Sequence, residues 1–335
     1  MSPAGAALVS GLVILGMVVV LPLGLRLLGP DVVPAARSVV WPLAGAAGAV
    51  GVVLPRGTAS ALLALVFAAA TVVLAGAGAR LAVRTARDAR DGRALAVGRA
   101  SRAATVTALV MPAVGASALV AERAGWGLLG FSGTHLALTV PHMLYAGFGA
   151  ALVAGTVARL AAADRLAVAG AWGVPFGTVL VLVGYFVGDV AELVGAGVLT
   201  LALWATAVAA VRSLARPSGT SSPDGARRVD GGRPASTAGA RALLVTGAVV
   251  VGLSMLLALW WAGGEALGFA HPSLDVMAAT HGVANALGFV LCALLGLRVL
   301  AARPTASGEA TGAEPDGAGR ETRRGPGRAP EGSAA

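Results

Sequence analysis

Apolar runs of about 17–25 residues recur along this chain, separated by short stretches that carry its arginines. That length is what an α-helix needs to cross a bilayer, and the runs lack the period-2 alternation of a membrane barrel. Soluble domains are about a quarter charged. Here 12% of residues are charged and 57% are hydrophobic. The expected fold class is therefore all-α, a polytopic transmembrane helical bundle and a multi-pass protein of the cell membrane.

The runs predict about nine spans, at 6–25, 39–54, 59–79, 103–120, 133–157, 166–187, 190–211, 242–262 and 276–300. The first lacks a basic region before it and reads as a retained span rather than a signal peptide. Residues 1–301 form the predicted membrane domain. Within it, 80–102 reads as a basic cytoplasmic loop and 212–241, rich in Ser, Gly, Pro and Arg, as a disordered linker. The tail, 302–335, is predicted to be disordered, basic and cytoplasmic.

All 25 basic residues are arginines, and the formal net charge is +9. They sit between apolar runs, where such charge sets orientation and meets anionic lipid headgroups, so no nucleic-acid partner is implied. With nine spans and the arginine-rich loops inside, the N-terminus lies outside and the C-terminus is cytoplasmic. Only Arg56 and Arg123 then fall outside. One cysteine, Cys292, excludes a disulfide framework and a cysteine-based metal motif.

Polar side chains inside spans mark candidate sites, because a bilayer core offers them no water. Two stretches stand out. The fifth span holds His135, His142 and Tyr145, and the ninth holds His281 and Asn285. On a helix His142 lies about 10 Å below His135 on nearly the same face, with Tyr145 one turn on. Glu192 follows the turn at Asp189. The predicted topology places all of them in the outer half of the membrane. Pro141 frees the carbonyl of Ala137 and favours a kink beside His142. Small residues at 147, 151 and 155, and at 284 and 288, permit close helix approach and make spans five and nine candidate neighbours.

Each residue also has a plainer reading. His142 can satisfy the carbonyl released by the proline, Tyr145 can be packing, and Asn285 can be interhelical glue for His281. His135 and Glu192 lie near the interface, where solvation explains them. Glu122 most simply pairs with Arg123.

Two motifs carry a family resemblance. Thr139, His142, Tyr145, Ala146, Gly147 and Phe148 resemble the histidine-bearing "HFxYAGF" span of the YndJ-like bacterial integral membrane proteins, with Met143 in place of the aromatic. His281, Gly282, Asn285, Ala286, Gly288 and Phe289 resemble the "HGxxNAxGF" span of the same family. The resemblance covers about 125–300. It implies a membrane protein of transporter-like type and singles out residues rather than an activity.

Three functions compete on these grounds. One is a small-molecule or ion transporter or binding protein, using His142, Tyr145, His281, Asn285, Glu192 and His135 to bind substrate or handle protons. Another is a haem- or metal-binding protein, with His142, His281 and Glu192 as the ligands for haem or a divalent metal. The third is a non-catalytic structural or regulatory membrane partner. Enzyme motifs such as His-Glu-x-x-His or Gly-x-Ser-x-Gly do not occur, so no catalytic residue is assigned.

Overall fold

A computed structural model describes residues 1–92, 95–215 and 234–301. They form nine helices, and no strand occurs among them. These are α1 (Pro3–Leu25), α2 (Val40–Val53), α3 (Thr58–Arg90), α4 (Ala96–Ala124), α5 (Thr134–Leu160), α6 (Arg165–Val187), α7 (Asp189–Ala215), α8 (Pro234–Leu267) and α9 (Leu274–Ala301). All but α2 are long and apolar enough to cross a membrane. With 14 residues, α2 reaches only about 21 Å, short of a hydrocarbon core of roughly 30 Å.

The basic segment 80–102 is mostly helix rather than loop. Helix α3 continues to Arg90 and α4 begins at Ala96. Alanine and arginine are both strong helix formers, so nothing stops α3 at the end of its apolar run. Its 33 residues span about 50 Å and carry the arginines past the membrane thickness. Helices α7 and α8 likewise extend into the expected linker, to Ala215 and from Pro234. The remainder of that linker and the expected tail, 302–335, lie outside the described residues.

Helix α5 is the hub. Two-thirds (67%) of its apolar window is buried in protein, the largest share of any long helix. It packs against α1, α4, α6, α7 and α9. Around it α3 pairs with α4, α6 with α7, and α8 with both α7 and α9. Large apolar side chains such as Leu253, Leu201 and Val72 stay exposed, the surface expected where lipid replaces water.

Small residues set the contacts, with partners the sequence did not specify. A Cβ on Gly147 would come within 2.5 Å of the Met111 side chain, so that face of α5 lies on α4. A Cβ on Gly288 would meet Val250 of α8 at 2.7 Å. The two small-residue stripes thus serve α4 and α8, not each other. Helices α5 and α9 meet instead where Gly149 faces Val290, whose Cγ1 would lie 2.5 Å from an added Cβ.

Three helices contain wide π-helical turns: Gly16–Val20 in α1, Met143–Ala150 in α5, and Ala278–Gly282 with Ala284–Leu291 in α9. The turns in α1, α5 and the second of α9 touch one another at the bundle centre. Such turns recur at functional sites because they re-aim side chains and leave backbone carbonyls without their usual partners.

Both ends of the bundle are tied. At the end bearing the N-terminus, the Ser2 amide donates to the carboxylate of Asp275 at 3.0 Å, joining α1 to α9. There too, buried Glu122 accepts from Arg56 at 2.8 Å and pairs with Arg123, while the Gly57 amide donates to the Arg123 carbonyl at 2.9 Å. At the opposite end Arg102 pairs with Asp88 at 2.5 Å.

Candidate functional site

A cavity of about 550 Å³ opens within the bundle between α5, α7, α8 and α9. His135, His142, Tyr145, Glu192, His281 and Asn285 all line it. Six polar residues from three separate helices thus share one space. Most of the remaining lining is apolar, contributed by residues such as Val9, Leu12, Met255 and Phe289.

His142 sits on the last turn of α-helix before α5 widens. Its Nδ1 lies 2.7 Å from the carbonyl of Leu138, one turn back. A carbonyl only accepts, so Nδ1 carries the hydrogen and Nε2 is left as an acceptor with no partner among the described residues. The carbonyl used is that of Leu138, not the one Pro141 frees at Ala137. Tyr145 turns toward α1 and donates its hydroxyl to the Leu12 carbonyl at 2.8 Å. It fastens α5 to α1, and its ring forms cavity wall.

His281 is held more tightly. Its Nδ1 donates to the carbonyl of Ser254 on α8 at 2.9 Å, with Ser254 Oγ at 3.1 Å. Its Nε2 then accepts from the Asn285 side-chain amide at 3.0 Å. The pairing of Asn285 with His281 is present, one helical turn apart. It uses only the amide nitrogen: Asn285 Oδ1 is buried and has no partner among the described residues.

The opposite wall brings Glu192, in the first turn of α7. A Cβ on Gly184 of α6 would lie 2.5 Å from Glu192 Cα, so the absence of a side chain at 184 lets the two backbones close and fixes where Glu192 stands. Asp189 and Glu265 line the same cavity, and Glu265 faces His271 at 3.3 Å. The carboxylates of Asp189 and Glu192 have no hydrogen-bond or ion-pair partner among the described residues.

Sequence reasoning passed over residues that hold or line the site. Ser254, buried behind the cavity wall, lies in an apolar run where a serine reads as packing, and only its pairing with His281 reveals a role. Phe131 sits at the rim, tilted against His135 and edge-on to Tyr185, with ring centroids 6.0 Å and 6.3 Å away. It is carried by a tight turn, Leu128–Phe131, closed by reciprocal backbone hydrogen bonds of 2.8 and 2.9 Å. Leu129 and Gly130 both take positive φ there (52° and 88°), a strained conformation for leucine.

The haem or metal alternative draws on His142, His281 and Glu192. Among the described residues no three His, Cys, Asp or Glu side chains are grouped to hold a metal ion. His281 has both ring nitrogens engaged, so it ligates iron only by giving up Asn285 or Ser254.

Eight long apolar helices and a lipid-like exposed surface define a multi-pass helical membrane protein. The chain belongs to the YndJ-like protein family, whose model matches residues 11–289. The match takes in both polar motifs and reaches well N-terminal of the expected start near 125, so α1–α4 are part of the family fold. No curated protein and no solved structure matches the chain.

Proposed function

We propose that this protein binds a small molecule or ion in the cavity between α5, α7 and α9, as a transporter or a binding protein of the cell membrane. The supporting observation is convergence: six polar side chains, costly in a bilayer unless used, border one space large enough for a ligand. His142 Nε2, Asn285 Oδ1 and Glu192 are the groups left to meet it. His135 stands nearer the rim, while Tyr145 and His281 hold the wall in shape.

The arginine distribution sets the orientation of this reading. Arg56 and Arg123 are the arginines at the N-terminal end, and both are engaged by Glu122. The others described stand at the opposite end, which by the positive-inside rule faces the cytoplasm and its anionic lipid headgroups. The cavity then belongs to the outer half of the membrane.

Cysteine labelling tests this. With Cys292→Ala as background, a thiol placed by His142→Cys should react with a membrane-impermeant methanethiosulfonate added to intact cells. A transporter exposes position 142 also to reagent from the cytoplasmic side, in inverted vesicles, whereas a binding protein reacts from outside alone. A folded variant inert from both sides removes the cavity as a ligand site.

A further inference from the structure

The chemistry lining the cavity is one-sided. Among the described residues no arginine borders it, yet Asp189, Glu192 and Glu265 all do. In a chain of formal net charge +9, this is a local reversal of sign. A cleft with low-dielectric walls and one sign of charge concentrates ligands of the opposite sign.

Hydrogen bonding runs the same way. Along α5 from Thr139 inward, and along α9 from His281 inward, each side-chain donor group already makes a hydrogen bond within the protein. Thr139 donates to the His135 carbonyl at 2.8 Å, His142 to Leu138, Tyr145 to Leu12, His281 to Ser254 and Asn285 to His281. Besides the second N–H of the Asn285 amide, what remains open on this wall is acceptors. They are His142 Nε2 and Asn285 Oδ1, and the latter is a buried oxygen that no described residue satisfies. A buried acceptor without a partner is destabilising, and a ligand donor would relieve it.

From these two observations we infer that the ligand is an amphipathic organic cation, an amine whose ammonium meets Glu192 and Asp189 and whose apolar body carries a second donor. The second donor, a hydroxyl or N–H, reaches His142 Nε2 and Asn285 Oδ1. The apolar lining between the two polar ends takes the body. Anions of the same shape meet carboxylates at one end and bare acceptors at the other, so they are rejected by repulsion and by unpaired lone pairs together. This rests on the cavity being a ligand site and adds the class of ligand.

The test uses three compounds of one shape: 8-amino-1-octanol, 1,8-octanediol and 8-hydroxyoctanoate. Each is radiolabelled and dialysed to equilibrium against the full-length protein in lipid nanodiscs at neutral pH, with binding to empty nanodiscs subtracted. The amino alcohol should bind saturably and at least about tenfold more tightly than the diol, a factor worth about 1.4 kcal/mol. The hydroxy acid should bind most weakly. In Glu192→Gln the advantage of the amine over the diol should shrink to about twofold or less. Asp189→Asn, at a more exposed position, should narrow the same ratio and serves if the first variant is not monodisperse. Equal binding of amine and diol, preference for the acid, or a preference that survives both substitutions overturns the cation and leaves the cavity standing. Absence of saturable binding by all three also overturns it, and labelling at position 142 then reports separately whether the cavity is a site at all.

Discussion

His281 on α9 donates from Nδ1 to the backbone carbonyl of Ser254 on α8, 2.9 Å away. A side chain that the bilayer would penalise is thereby turned into a cross-helix tie. Because the acceptor is backbone, Ser254→Ala removes only the secondary contact and should lower stability by less than about 1 kcal/mol. His281→Phe also strands the Asn285 amide and should cost about 2 kcal/mol, read as a larger fall in thermal midpoint in nanodiscs. Equal losses for the two variants would contradict the assignment of the carbonyl as the main acceptor.

Tyr145 anchors α5 to α1 through one hydrogen bond, 2.8 Å from hydroxyl to the Leu12 carbonyl. Tyr145→Phe keeps the ring and deletes that bond. A loss of about 1 kcal/mol is expected, with accessibility of a thiol at position 142 unchanged. Stability indistinguishable from the parent protein would mean that the bond does not form in the membrane.

Glu122 is buried, with 4% of its side chain exposed, and is shared by Arg123 at 14% and Arg56 at 57%. Removing the acid leaves the mostly buried Arg123 without its counter-charge, so Glu122→Ala should cost about 3 kcal/mol. Arg56→Ala, at the solvated end of the same cluster, should cost less than about 1 kcal/mol. Chemical-denaturant or thermal unfolding of the two variants distinguishes them, and the reverse order would sink this account of the cluster.

Two glycines of the α6–α7 hairpin should respond in opposite directions. At Gly184 a methyl group would collide with the backbone of Glu192 at 2.5 Å, so Gly184→Ala must separate the helices and should cost about 1–3 kcal/mol. At Gly197, helical and with open space around it, alanine should stabilise by about 0.4–1 kcal/mol through the unfolded chain. Thermal melts of both variants check the pair, and a destabilised Gly197→Ala would contradict it.

Much of the architecture was legible in the sequence. Apolar runs of spanning length admit little but helices, and arginine-bearing breaks separate them. Polar residues within such runs were also legible, which is why His142, Tyr145, His281 and Asn285 could be singled out. Their partners were not. A serine at 254 carries no signal until a helix places it opposite an imidazole, and the glycines at 147 and 288 say that something packs closely without saying what. The wide turns in α1, α5 and α9 were equally hidden. Pro141 pointed to a disturbance near His142, but nothing comparable marks 284–291. Arginine runs misled in one respect, since continuation of α3 to Arg90 depends on helix propensity rather than on hydropathy.

The account depends most on α5 packing against α9, since that contact sets the two histidine-bearing helices side by side. An added Cβ at Gly149 would lie 3.4 Å from Val290 Cβ, close to the separation a disulfide bridges. With Cys292→Ala as background, the double substitution Gly149→Cys and Val290→Cys should form an intramolecular disulfide under a membrane-permeant oxidant. Mass spectrometry of the digested protein would show the two peptides joined in most of the population. Two free thiols after oxidation, in protein that remains folded and monodisperse, would contradict the contact and with it the shared cavity.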